Sequence, residues 1–168
     1  MLYPDESFRI MGACFAVHNE MGSGFLEAVY QECLEIEFES RRLPGVAKSE
    51  VQLKYGDRVL KQTYEPDFIC YERIILEIKA CDRLLAKHGA QVLNYLNATG
   101  YELGILVNFG AHPKLEWKRF ALSQRKVVVS SDETRWFGHV AGKVRAPGVW
   151  VRAFFSREWR ECPRMMCW

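Results

Sequence analysis

The sequence is short of several features that would have fixed a function class. Its six cysteines form no CxxC pair, and no Cys/His group has the spacing of a zinc site. No stretch approaches the ~20 apolar residues that a membrane-spanning helix needs. The N-terminus MLYPDESFRIMG carries early acids and no basic segment leading into an apolar run, so it does not read as a secretory signal. There is no internal repeat and no low-complexity tract. Net charge is small, +2 over 168 residues, and so bears little on whether a partner is acidic. These absences leave a soluble, cytoplasmic globular protein, with thiols such as Cys14, Cys33 and Cys70 kept reduced in helical and strand patterns.

With 49% hydrophobic and 26% charged residues, the chain can bury a substantial core. Its charge is uneven. Residues 1–122 carry 14 Lys+Arg against 17 Asp+Glu, whereas residues 123–168 carry 9 against 4. A slightly acidic domain over 1–122, followed by a basic, poorly specified extension over 123–168, is the expected organisation.

Hydrophobic spacing predicts helices over Ser7–Met21, with Phe8, Met11, Phe15 and His18 recurring at three and four, and over about Phe25–Arg42, ended by Leu43-Pro44-Gly45. The period then shortens. Val51, Leu53 and Tyr55 alternate before the hairpin signal Gly56-Asp57, and Val59–Tyr64 returns, open to continuation into Asp67–Tyr71. Ile74–Ala80 is a strong strand, Leu84–Thr99 a helix stopping at Gly100, Leu103–Phe109 a strand buried on both faces, and Leu115–Leu122 a further strand. The order α-α-β-β-β-α-β-β describes an α/β fold of the α+β mixed-sheet kind, with helices flanking a mixed central sheet. Val127–Val129 could add a short strand and VWVRAFF at 149–155 a hairpin.

The strand ILEIK raises a chemical question. Glu77 and Lys79 stand among Ile74, Ile75, Leu76 and Ile78, and burying a charge without a partner is costly. Side chains alternate along a strand, so Ile75, Glu77 and Lys79 share one face. A turn centred on Glu72 places Asp67 directly across from Glu77, with Cβ atoms ~4.5–5.5 Å apart. Two carboxylates so placed repel, and a hard divalent cation between them resolves the conflict. Lys79 would then stand beside the same site, able to orient a water or balance charge on a phosphate. The competing reading is a solvated strand face.

Two further elements bear on this. Glu27 falls on the helical stripe of Tyr30, Leu34 and Phe38, where a lone carboxylate is expensive; alternatively, with Gly24 as N-cap, it serves the start of the helix. Gln91 and Tyr95 lie one helical turn apart on one face, where Gln91 could bind a phosphate or a metal-bound water, or be a surface amide.

Together, Gly24, Glu27 and Tyr30 in a GxxExxY pattern, PDF at 66–68, LEIKA at 76–80 and AQVLNYL at 90–96 resemble the GxxExxY protein family of the PD-(D/E)XK nuclease-like superfamily. The resemblance covers roughly residues 8–122. It implies a restriction-endonuclease-like core and metal-dependent hydrolysis of phosphodiester bonds. Asp67 and Glu77 would be metal ligands, with Glu27 and the carbonyl of Ile78 as further ones, and Lys79 the motif lysine. Catalysis would rest on Glu27, Asp67, Glu77, Lys79 and Gln91. Gln91 and Tyr95 resemble the QxxxY element of RecB-like nucleases and, with Tyr30, would meet the substrate. Mg²⁺ or Mn²⁺ is the implied cofactor, nucleic acid the implied partner with DNA ahead of RNA, and no membrane is involved. A catalytically silent nuclease-like module that binds nucleic acid or a protein is the alternative.

Overall fold

The computed structural model describes residues 2–55, 57–123, 126–131, 143–146 and 149–152. Ten strands and three helices occur among them. Two helices come first, α1 (Pro4–Met21) and α2 (Glu27–Ser40). They are followed by β1 (Gly45–Ala47), the pair β2 (Val51–Tyr55) and β3 (Arg58–Tyr64), and then β4 (Phe68–Cys70) and β5 (Ile74–Lys79). Helix α3 (Ala86–Thr99) crosses to β6 (Leu103–Asn108), and β7 (Glu116–Ser123) and β8 (Lys126–Ser131) complete the main sheet. The last two strands, β9 (Lys143–Ala146) and β10 (Val149–Arg152), pair only with each other.

The main sheet has six strands in the order β1-β4-β5-β6-β7-β8. The single parallel pairing is β5 with β6, the pair joined through α3, and every other pairing is antiparallel. A parallel pair needs such a crossover, because a tight turn can only reverse the chain. The mixed α/β fold with helices on both faces is the one the sequence predicts.

Alternation along β5 divides the core. Ile74, Leu76 and Ile78 face α1 and α2 and pack with Ile10, Ala13, Cys14, Tyr30, Leu34 and Phe38. Ile75 faces the other way and packs with Val92, Tyr95 and Leu96 of α3. Strands β5 and β6 are buried on both faces, which explains why both read as near-continuous apolar runs. Gly104 is required on β6, because a Cβ there would strike the Val92 side chain and push α3 off the sheet.

Several local expectations shift. In α1 the expected stripe divides: Phe8 and Phe15 are exposed, whereas Met11 and His18 are buried along with Ile10, Ala13, Cys14 and Val17. The smaller of these side chains let the helix seat closely, which the spacing of the larger residues does not reveal. Helix α2 begins at Glu27 with Leu26 as N-cap, so Glu27 is its first residue and makes no capping bond. Strand β1 forms directly after Pro44, where the sequence suggested only a break. Pro66, with no N–H to donate, separates β3 from β4. The strand expected around Val127–Val129 forms as β8 and extends the sheet beyond residue 122. Residues 149–152 pair as β10, and residues 153–155 of the expected hairpin lie outside the described residues.

Candidate active site

The β4–β5 hairpin builds the centre. Its turn holds Tyr71 and Glu72 at φ of 51° and 58°, and the Arg73 N–H donates to the Cys70 carbonyl at 3.2 Å. The connection between the paired Cys70 and Ile74 is three residues long, and its two consecutive positive φ values suit the right-handed twist of the flanking strands. This turn sets Cys70 opposite Ile74, Ile69 opposite Ile75, and Phe68 opposite Leu76. One step further along the same register, Asp67 meets the β5 segment that carries Glu77 and Lys79.

Both carboxylates are buried, Asp67 at 4% exposure and Glu77 at 3%. Asp67 Oδ2 accepts the Ile78 N–H at 2.8 Å. Its Oδ1 is held by the Lys48 ammonium, which arrives from the end of β1. Glu77 Oε1 accepts from Lys79 Nζ at 2.8 Å, and the same ammonium donates to the Ile78 carbonyl at 2.7 Å. Glu77 Oε2 is buried and has no hydrogen-bond partner among the described residues. Glu27, at the tip of α2, brings Oε1 to 3.8 Å from Lys79 Nζ.

The electrostatics follow from this packing. Burial, and after it the neighbouring Asp67 carboxylate, push the Glu77 carboxyl up to about 7, against the opposing pull of Lys79. Burial works to discharge Lys79, but the carboxylates of Glu77, Glu27 and Asp67 outweigh it and hold the ammonium above its ordinary range.

The segment around α2 shows why its three motif residues occur together. Gly24 has φ of 112°, a conformation side chains rarely adopt. The Tyr30 hydroxyl donates to the Gly22 carbonyl at 2.9 Å and accepts the Phe25 N–H at 3.2 Å, closing the loop on both sides of Gly24. The Tyr30 ring stacks on Phe109, with centroids 4.6 Å apart, and the Phe109 N–H in turn donates to the Lys79 carbonyl at 2.7 Å. Tyr30 was expected to contact substrate. It is fully buried with its hydroxyl engaged inside the chain, and it braces the start of α2 instead.

Gln91 and Tyr95 lie on α3, the helix over the Ile75 face of β5. The Gln91 amide donates to the Tyr95 hydroxyl, and the Tyr95 ring lies against Tyr64 of β3. Among the described residues neither forms a hydrogen bond with Asp67, Glu77 or Lys79. The two histidines beside the motifs have structural surroundings: His18 Nε2 lies 3.3 Å from the Ala111 carbonyl, and His88 Nδ1 accepts the Leu85 N–H at the start of α3.

Three residues at the site escaped the sequence reading. Lys48 has no local signal, because only the β1–β4 pairing brings it to Asp67. Asn108 and Glu116 hold the loop that follows Lys79. Asn108 is fully buried, accepts from the Cys81 N–H at 3.0 Å and donates to the Cys81 carbonyl at 2.7 Å and to Glu116 Oε2 at 3.1 Å. Glu116 also accepts the Leu84 N–H at 3.0 Å. A lone amide in the apolar run LGILVNF was the available signal for Asn108.

Among the described residues no three His, Cys, Asp or Glu side chains cluster as a metal centre. The donor set nevertheless suits a hard cation. Two buried carboxylates lie side by side, one oxygen of Glu77 lacks any partner, and lysine ammoniums stand on both. Asp67, Glu77 and the Ile78 carbonyl would hold such an ion, with Glu27 at the edge.

Residues 4–120 match the family model of the PD-(D/E)XK nuclease superfamily, and the chain belongs to that superfamily. Nucleases of this group generally use divalent metal ions. No curated protein matches the sequence. Among solved structures, the crystal structure of SSO0001 aligns at 21% identity and a TM-score of 0.45, covering 55% of this chain and about half, 48%, of its own. No helix among the described residues is long and apolar enough to cross a membrane.

Proposed function

We propose that this chain is a metal-dependent nuclease of the GxxExxY type that hydrolyses phosphodiester bonds, with DNA ahead of RNA as substrate. The observation that carries the reading is the buried Asp67–Glu77 pair, whose Glu77 Oε2 has no partner while Lys79 stands beside it. A buried carboxylate with one oxygen left unpaired costs the fold stability, and such perturbed groups cluster at functional sites. Asp67, Glu77, Glu27 and the Ile78 carbonyl are the proposed ligands of Mg²⁺ or Mn²⁺. A divalent ion there supplies charge for the scissile phosphate and lowers the pKa of an attacking water.

The remaining roles fall to the chain's own groups. Lys79, fixed by Glu77 and the Ile78 carbonyl, balances negative charge gathering on the phosphate. Glu27, nearly half exposed at the tip of α2, faces the open side of the site and orients Lys79 or a water. Tyr30 and Gly24 position Glu27. Gln91 is proposed to meet the nucleic acid along α3; Tyr95, also expected there, is buried in the core with its hydroxyl held by Gln91, and supports Gln91 instead. Buried free thiols at Cys14 and Cys70 suit a reducing compartment, so the cytoplasm is the proposed location.

Calorimetric titration of Mn²⁺ into the wild type and into Asp67→Ala/Glu77→Ala tests the reading. Binding that the double variant loses, followed by Mn²⁺-dependent cleavage in a screen over single- and double-stranded DNA and RNA, is expected. Absence of metal binding in the wild type would sink it. A second reading, a silent binding module, draws support from the two ammoniums that already neutralise the carboxylates and from the acidic balance of residues 1–122. Nucleic-acid binding that persists without metal and without cleavage would favour it.

A further inference from the structure

The two lysines at the carboxylate pair are held very differently. Lys79 is largely buried and has three partners: Glu77, the Ile78 carbonyl and, more distantly, Glu27. Lys48 has a side chain 51% exposed, and among the described residues its ammonium meets a single acceptor, Asp67 Oδ1. The Lys48 backbone is separately fixed. Its N–H donates to the Asp67 carbonyl at 3.1 Å, one step beyond the paired residues of β1 and β4. Lys48 also has φ of 49°, so the chain bends there and turns the side chain back over Asp67. The main-chain bond does not depend on the ion pair. The ammonium can therefore leave Asp67 without the strand shifting.

Asp67 has few ways to be satisfied. One oxygen takes the Ile78 N–H and the other takes Lys48. A cation that bound Asp67 through Oδ1 would need the position that Lys48 holds. From this geometry we infer that Lys48 is a tethered counter-cation for Asp67, which keeps the buried carboxylate compensated in the metal-free protein and must be displaced for a divalent ion to bind. The inference rests on the metal-dependent reading of the same site. It makes Lys48 a positioning residue that sets metal affinity, separate from Lys79, which remains in place.

The consequence is an exchange whose strength can be measured without following catalysis. The observed metal affinity is the intrinsic affinity of the carboxylates reduced by the free energy of the Lys48–Asp67 pair. Removing the ammonium strengthens metal binding, and keeping a cation of the same reach does not.

The test is calorimetric titration of Mn²⁺ into the full chain as wild type, Lys48→Met and Lys48→Arg, with thermal melts of each in EDTA and at saturating Mn²⁺. Lys48→Met is expected to bind Mn²⁺ roughly threefold to tenfold more tightly, the range an ion pair with one exposed partner can supply. Lys48→Arg is expected to stay close to the wild type. In EDTA Lys48→Met melts below the wild type, and the gap closes when Mn²⁺ saturates the site. Equal or weaker Mn²⁺ binding by Lys48→Met overturns the exchange while leaving the metal site standing. Absence of binding by all three proteins overturns the metal reading and this inference together.

Discussion

The Oδ2 atom of Asp67 accepts the main-chain N–H of Ile78 at 2.8 Å, tying the aspartate to the strand segment that carries Glu77 and Lys79. The contact makes Asp67 part of the sheet as well as part of the site. It also fixes where its carboxylate can point.

Truncation and neutralisation of Asp67 should therefore separate. Asp67→Ala leaves the buried Ile78 N–H without an acceptor, whereas Asp67→Asn retains one. Urea melts should place the alanine variant below the asparagine variant by about 1–3 kcal/mol, the cost of an unmade buried hydrogen bond. Both should lose Mn²⁺ binding. Equal stabilities would show that the Ile78 amide is satisfied without Asp67.

The pH dependence of stability should carry the mark of Glu77. Its carboxyl is pushed from 4.5 up to about 7 by burial first and Asp67 second. Between those values the folded chain keeps a proton that the unfolded chain has released. Stability of the metal-free protein should fall as pH rises through that window, by on the order of 3 kcal/mol, and level off above it. Lys79 is raised from 10.5, so its contribution is lost only at more alkaline pH, outside the window. His88, lowered from 6.5 mainly by burial, acts in the opposite direction, adding stability as pH rises through its range. Glu77→Gln should abolish the fall and leave the His88 contribution. Chemical denaturation of both proteins across the window reads this directly, and an unchanged slope in Glu77→Gln would assign the effect elsewhere.

Tyr30→Phe isolates the brace under Glu27. The ring still stacks on Phe109, but the Gly22 carbonyl and Phe25 N–H lose their shared hydroxyl. A loss of about 1–2 kcal/mol is expected, with faster amide exchange at Phe25 than in the wild type and little change at Ile78. Exchange rising equally at both amides would mean that Tyr30 supports the whole core rather than this loop.

The legible parts of the molecule are those set by short-range pattern. The face alternation along ILEIK follows from strand period. The Asp67–Glu77 opposition follows from a turn centred on Glu72, and the observed pairs Phe68–Leu76 through Cys70–Ile74 keep that register. Helix α3 and the parallel β5–β6 pair follow from apolar runs separated by a helical stretch. Features that depend on chain segments meeting from a distance were not legible. Lys48 reaches Asp67 only because β1 pairs with β4, and β1 is three residues long beside a proline. The inward face of α1 was masked by the outward Phe8 and Phe15, since spacing cannot rank two apolar faces. Tyr30 was assigned to substrate because a motif gives the company a residue keeps and says nothing of its burial.

The unpartnered oxygen of Glu77 also bears on how such a sequence persists. Position 77 lies between Leu76 and Ile78 in a strand buried on both faces, where an apolar side chain would meet no electrostatic penalty. Mutation supplies stabilising replacements readily at such positions. A carboxylate at this position lowers the stability of the fold, and on the proposed function that destabilisation belongs to the site and is borne by the sheet around it.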